Sequence, residues 1–90
     1  MYSLRRESDG AGDSGSMSTA IWRGEDGEIH TEYNARPRVG AVMRVGTMLA
    51  RSYRVQDWWQ TTTITEILEE RENYVRFRTS NSIYEWWTPE

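Results

Sequence analysis

The chain has 90 residues and a formal net charge of −3, with no Cys and a single His. That bounds it to one small domain and excludes disulfides, thiolate metal sites and any multi-histidine metal site. All 11 basic residues are Arg, and five Trp, five Tyr and one Phe supply most of the bulky apolar surface.

Residues 1–19 are rich in Ser, Gly and Asp, with isolated apolar residues and no periodicity. Such a segment offers little to offset its ordering entropy, so a disordered acidic tail is expected, with Met17 as a second plausible start of translation. Residues 20–38 read as an extended arm or hairpin. Glu25-Asp26-Gly27 has turn chemistry, and Ile29, Thr31 and Tyr33 alternate with Glu28, His30 and Glu32. Pro37 then favours an extended residue at Arg36.

Residues 39–88 carry the expected β domain. Val39–Val45 and Thr47–Val55 read as strands separated by Gly46, and Asp57 as a turn residue ahead of Trp58-Trp59. The Thr- and Ile-rich run after Trp59 predicts a strand through ITEILEE rather than a helix, because β-branched residues feed it. Arg71-Glu72-Asn73 reads as a turn. YVRFRT alternates Val75, Phe77 and Thr79 against Tyr74, Arg76 and Arg78; Ser80-Asn81 turns the chain, and Ser82–Trp87 forms a last strand. The expectation is an all-β fold: a small SH3-like barrel or a strongly bent antiparallel sheet of four or five strands.

Residues 45–87 resemble the SH3-like small barrels, in particular the Tudor-type strand layout, at Val45, Gly46, Trp59, Ile64, Ile67, Val75, Phe77, Asn81 and Glu85. Ala50 departs from the pattern, standing one position early for the small inward residue of the first strand. The resemblance implies a fold and a binding role, with aromatics that in such barrels form a cage for a methylated cation; it carries over no ligand.

Catalytic chemistry finds few candidates. There is no Cys nucleophile, a Ser-based triad would depend on His30, and no G-x-S-x-G, P-loop or G-x-G-x-x-G occurs. No enzyme activity, cofactor or metal is therefore expected, and with no apolar run of ~18 residues or signal-like segment, neither is membrane insertion. The absence of Cys fits a cytoplasmic setting. Charge is uneven. Residues 33–65 hold five Arg (Arg36, Arg38, Arg44, Arg51 and Arg54) and one acid, Asp57, between two acidic stretches. These Arg are either partners of the surrounding carboxylates or a face for anions and nucleic acid.

Adjacent Trp residues on a strand point to opposite faces. Trp59, Phe77 and one of Trp86 and Trp87 are expected in the core. Trp58 and Trp86, with Tyr53, Tyr74 and Tyr84, are the candidates for a partner-binding patch. The sequence points to a non-catalytic protein-binding module, an accessory, regulatory or inhibitor protein of phage or prokaryotic origin. The alternative is a nucleic-acid-binding barrel using the Arg and aromatic face. No motif sets the oligomeric state.

Overall fold

A computed structural model describes residues 1–47 and 57–88, Asp57 by its backbone alone. The described residues form nine antiparallel strands: β1 (Tyr2–Arg6), β2 (Gly12–Gly15), β3 (Met17–Arg23), β4 (Ile29–Tyr33), β5 (Val42–Thr47), β6 (Asp57–Gln60), β7 (Ile64–Arg71), β8 (Tyr74–Thr79) and β9 (Ile83–Trp87). They make two sheets. Sheet A has the order β2-β1-β9-β8-β7 and sheet B the order β4-β3-β5-β6. The all-β, antiparallel expectation holds, and the strands lie in two sheets instead of one closed barrel.

Alternation decides the core. Leu4, Val75, Phe77, Tyr84 and Trp86 project inward from sheet A, and Ala20, Met43 and Val45 from sheet B; all are buried in one cluster. Trp59, Ile67, Tyr2 and Trp22 pack against its margin. Two indole N–H groups cross between the sheets. Trp86 Nε1 donates to Ser18 Oγ at 3.0 Å, and Ser18 Oγ donates onward to the Ala35 carbonyl at 2.9 Å. Trp59 Nε1 donates to the Tyr84 hydroxyl at 3.2 Å. A buried indole needs such a partner, so these bonds are what make Trp acceptable inside so small a fold.

The sheets meet along two seams. At one, Ile64 N–H donates to the Ala41 carbonyl at 2.8 Å and Gly40 N–H to the Ile64 carbonyl at 2.9 Å, tying the start of β7 to the chain entering β5. At the other, β2 lies so close to β5 that a Cβ on Gly15 would overlap the Gly46 carbonyl. Gly46 is therefore an interior residue of β5, where the sequence suggested a break. Conversely, Val39 is 59% exposed in a turn with Gly40 (φ 92°), and the strand begins only at Val42. Asp57 opens β6 rather than preceding it.

The N-terminal segment is the main correction. Residues 1–19 are ordered strands, not a disordered tail: β1 sits between β2 and β9, with Leu4 opposite Trp86. Leu4 is 0% exposed and the Tyr2 ring stacks on Trp86 at 5.9 Å. One inward Leu and one Tyr suffice because β9 supplies the rest of the hydrophobic surface and a ladder of backbone hydrogen bonds. The Gly, Ser and Asp residues serve as turn chemistry. Asp9 accepts from Ala11 N–H and from Arg6, and Gly10 (φ 74°) closes the turn. Nor is 20–38 a separate arm, since β3 lies between β4 and β5.

Other expectations hold. Residues 24–28 close the β3–β4 hairpin: Gly27 N–H donates to the Gly24 carbonyl, and Gly27 (φ 81°) takes the left-handed position that follows a type I turn. Residues 64–71 are a strand, with register shifts between Ile64 and Glu66 and between Ile67 and Glu69. Arg51, Tyr53 and Arg54 lie outside the described residues, as does Ala50.

Candidate functional site

The two sheets share a core but differ in what they turn outward. On the outer face of sheet A the register sets Tyr74 opposite Trp87 and Arg76 opposite Glu85. Nearly every polar group there is matched by the chain itself. Arg76 holds Glu7 through two hydrogen bonds of 2.7 and 3.0 Å, Arg78 pairs with Glu66 at 2.9 Å, and Arg71 pairs with Glu69. Tyr74 donates to Glu85 at 2.7 Å; burial first, then that carboxylate, push its phenol up to about 12. The Arg76 hydrogen bonds hold Glu7 below its ordinary carboxylate range. Arg6, with help from Ala11 N–H, lowers Asp9 to about 2.

The outer face of sheet B is different in kind. Residues directly opposite share a face, so the pairs Thr19–Tyr33, Ile21–Thr31 and Arg23–Ile29, together with Thr19–Arg44 and Ile21–Val42, define it, and Trp58 and Gln60 extend it on β6. Tyr33 is 65% and Ile29 59% exposed; Ile21, Val42 and Trp58 are half-buried. Among these positions are two Arg and no carboxylate. Arg44 donates to Gln60 Oε1 at 2.7 and 3.1 Å, and its guanidinium lies over the Trp58 ring at 5.0 Å. A cation resting on an indole and an amide keeps that ring in one position.

At the Tyr33 end of this face lies a pocket of about 190 Å³ lined by Ser16, Met17, Ser18, Thr19, Tyr33 and Asn34. Thr19 is 3% exposed, and its hydroxyl has no hydrogen-bond partner among the described residues. A buried, unpartnered hydroxyl is destabilising on its own account. A second hollow of about 370 Å³ lies between the β1–β2 turn and the β8–β9 turn, lined by Glu7, Ser8, Asn81, Ser82 and Ile83. Among the described residues no three His, Asp or Glu side chains gather as a metal site would require, and no helix is long and apolar enough to cross a membrane.

The candidate partner-binding residues are not brought together. Trp58 is on the outer face of sheet B, and Tyr74 is half-buried on the outer face of sheet A. Trp86 (1% exposed) and Tyr84 (5%) are core residues, which corrects their assignment to a binding patch. Both lie on the inward register of β9, opposite Val75 and Phe77, and Trp87 is the member of that pair facing out.

The basic candidates are dispersed as well. Arg36 donates to the Arg71 and Glu72 carbonyls at 2.6 Å and to Glu70, and lies over Trp86 at 5.5 Å. It clamps the β7–β8 turn to the core edge. Arg38 lies 4.4 Å from the Trp22 ring centroid and 3.7 Å from Glu32. Of the described three, Arg44 alone is on the open face of sheet B.

Thr19, Ile21, Tyr33 and Val42 were not singled out from sequence. The alternation of Ile29, Thr31 and Tyr33 marked one strand of the face; joining it to Trp58 required the order β4-β3-β5-β6. Comparison of the chain with protein-family models, with curated proteins and with solved structures finds no match.

Proposed function

We propose that this protein is a non-catalytic binding module whose outer face of sheet B takes a protein partner. The observation that carries this reading is the contrast in satisfaction between the two outer faces. Most of sheet A's charged side chains are bonded within the chain, whereas sheet B presents Trp58, Tyr33, Ile21, Val42 and Ile29 beside two Arg, with a Thr19 hydroxyl in the floor that has no partner among the described residues. Aromatics and Arg around an apolar centre are the composition of interface hot spots. The matching partner surface is apolar at its centre with acidic groups at its rim.

Two further observations favour binding over catalysis. Glu7, the titratable group of the larger hollow, is held ionised by Arg76 and so is a poor proton donor near neutral pH. The exposed His30 ring stacks on Trp22 at 5.7 Å, and its nearest carboxylate, Asp26 at 3.4 Å, is also exposed. Dispersal of Arg36, Arg38 and Arg44 favours a protein over a nucleic acid, which would be tracked by converging cations. The accessory, regulatory or inhibitor role and the phage or prokaryotic origin expected from the sequence belong to this same reading.

The experiment is capture of partners by the full chain from a host lysate, repeated with Trp58→Ala and Trp87→Ala. Trp58→Ala abolishes capture while the melting temperature is retained, and Trp87→Ala leaves capture intact. Capture that survives Trp58→Ala, or that collapses with salt and nuclease treatment, overturns the proposal.

A further inference from the structure

β4 is the outermost strand of sheet B, and all five of its residues are exposed. Sheet edges are ordinarily guarded. The β7 edge of sheet A is interrupted by two register shifts and carries Glu66, Glu69 and Glu70. β4 pairs with β3 in unbroken register over Ile29–Tyr33. Among the described strands β4 pairs with β3 alone, which leaves its other edge without a backbone partner.

The parity of the hairpin says which groups this edge offers. Gly24 N–H donates to the Glu28 carbonyl, so in an antiparallel ladder the hydrogen-bonded pairs continue as Trp22–His30 and Ala20–Glu32. The N–H and C=O groups of Ile29, Thr31 and Tyr33 therefore point away from β3, toward the open edge. Their side chains lie on the outer face of the sheet, and those of Glu28, His30 and Glu32 on the other.

We infer that a second copy of this chain occupies that edge, β4 against β4 around a two-fold axis at Thr31. In this register Thr31 faces Thr31 of the other copy and Ile29 faces Tyr33, both favourable cross-strand pairs. On the opposite face His30 meets Glu32 in a non-hydrogen-bonded pair, the closer kind, and does so twice by symmetry. The neighbouring registers allowed by the same parity are worse. An axis at His30 opposes Glu28 to Glu32, and an axis at Glu32 opposes the two Glu32 side chains. Like charges directly opposite one another disfavour a pairing. Charge thus selects one register, and the product is one continuous eight-stranded sheet from two four-stranded ones. The inference is independent of the proposed protein partner; it places the two Trp58 faces on one surface.

A single edge makes a small interface, so the association is weak and depends on concentration. In sedimentation equilibrium the full chain moves from 10.6 kDa toward twice that mass as concentration rises from about 10 μM to about 1 mM. Thr31→Pro removes a donor on the open edge only and holds the mass at 10.6 kDa with the fold retained. Because the chain has no Cys, single-cysteine variants read the register directly. Thr31→Cys gives a disulfide-linked dimer on mild oxidation. His30→Cys and Glu32→Cys each stay monomeric alone and cross-link when mixed. This cysteine set decides the matter even if Thr31→Pro fails to fold. A mass of 10.6 kDa for the unaltered chain at about 1 mM overturns the inference, as does a Thr31→Cys variant that links no faster than His30→Cys.

Discussion

Sheets A and B are built on the same principle and finished differently. Each turns an apolar row inward, and Trp86 and Trp59 cross the gap between them to bond with Ser18 and Tyr84. Outward, sheet A closes its own electrostatics: Glu7, Glu66, Glu69 and Glu85 each have an Arg or Tyr partner. Sheet B leaves Tyr33 and Ile29 in solvent and the Thr19 hydroxyl without a partner among the described residues. The difference teaches where to look for a role. A face whose polar groups are satisfied within the chain has little to gain from a partner, whereas a face that exposes rings and buries an unmet hydroxyl has more.

The largest perturbation is one that removes the shared core and with it both faces. Trp86→Ala empties a site that is 1% exposed and strips Ser18 of its donor, so unfolding should be easier by about 3–5 kcal/mol in urea denaturation. Leu4→Ala tests whether residues 1–19 belong to that core. A cost of about 2–5 kcal/mol is expected from its complete burial, against almost nothing for a disordered tail.

The next effect separates the faces. Thr19→Val replaces an unpartnered hydroxyl with a methyl, and should stabilise the free protein by roughly 1 kcal/mol in thermal unfolding. If the partner uses that hydroxyl, the same substitution weakens capture, so stability and binding move in opposite directions.

The smallest effects belong to sheet A and its flanking turn, and appear as pH dependence. Asp9 titrates at about 2 in the folded chain against an ordinary 3.8, so its contribution is intact above 3.8 and is lost as pH falls toward about 2. Glu7 is displaced in the same direction and loses its contribution in the same acidic limb. Asp9→Asn should flatten that limb in a pH series of melting temperatures. Tyr74 has the opposite sign. Its phenol is raised to about 12 from 10.0, so its contribution is intact below 10.0 and is lost as pH rises toward about 12. Tyr74→Phe should remove the late step from an alkaline titration followed by tyrosinate absorbance.

Much of this architecture was legible in the chain. YVRFRT and its following turn, the Gly27 hairpin and the strand through ITEILEE are local patterns, because side-chain alternation and turn conformation depend on near neighbours. In YVRFRT the apolar Val75 and Phe77 alternate with Arg76 and Arg78, so residue type itself set the inward placement of Phe77. What period two cannot supply is phase. In Trp86-Trp87 it requires opposite faces without saying which ring faces in, and β8 and β1 decided that by offering Val75 and Leu4 opposite Trp86.

The sequence by itself therefore determined the class of the fold and most of its turns, from a composition with no Cys and a single His. Tertiary structure decided the place of residues 1–19, because β1 gains its stability from β9, some 80 positions away in the chain, and no local signal reports that pairing. It also decided the dispersal of Arg36, Arg38 and Arg44 and the assembly of the sheet B face from β4, β3, β5 and β6. Strand order is a property of distant contacts, and a face made from four strands exists only once that order is set.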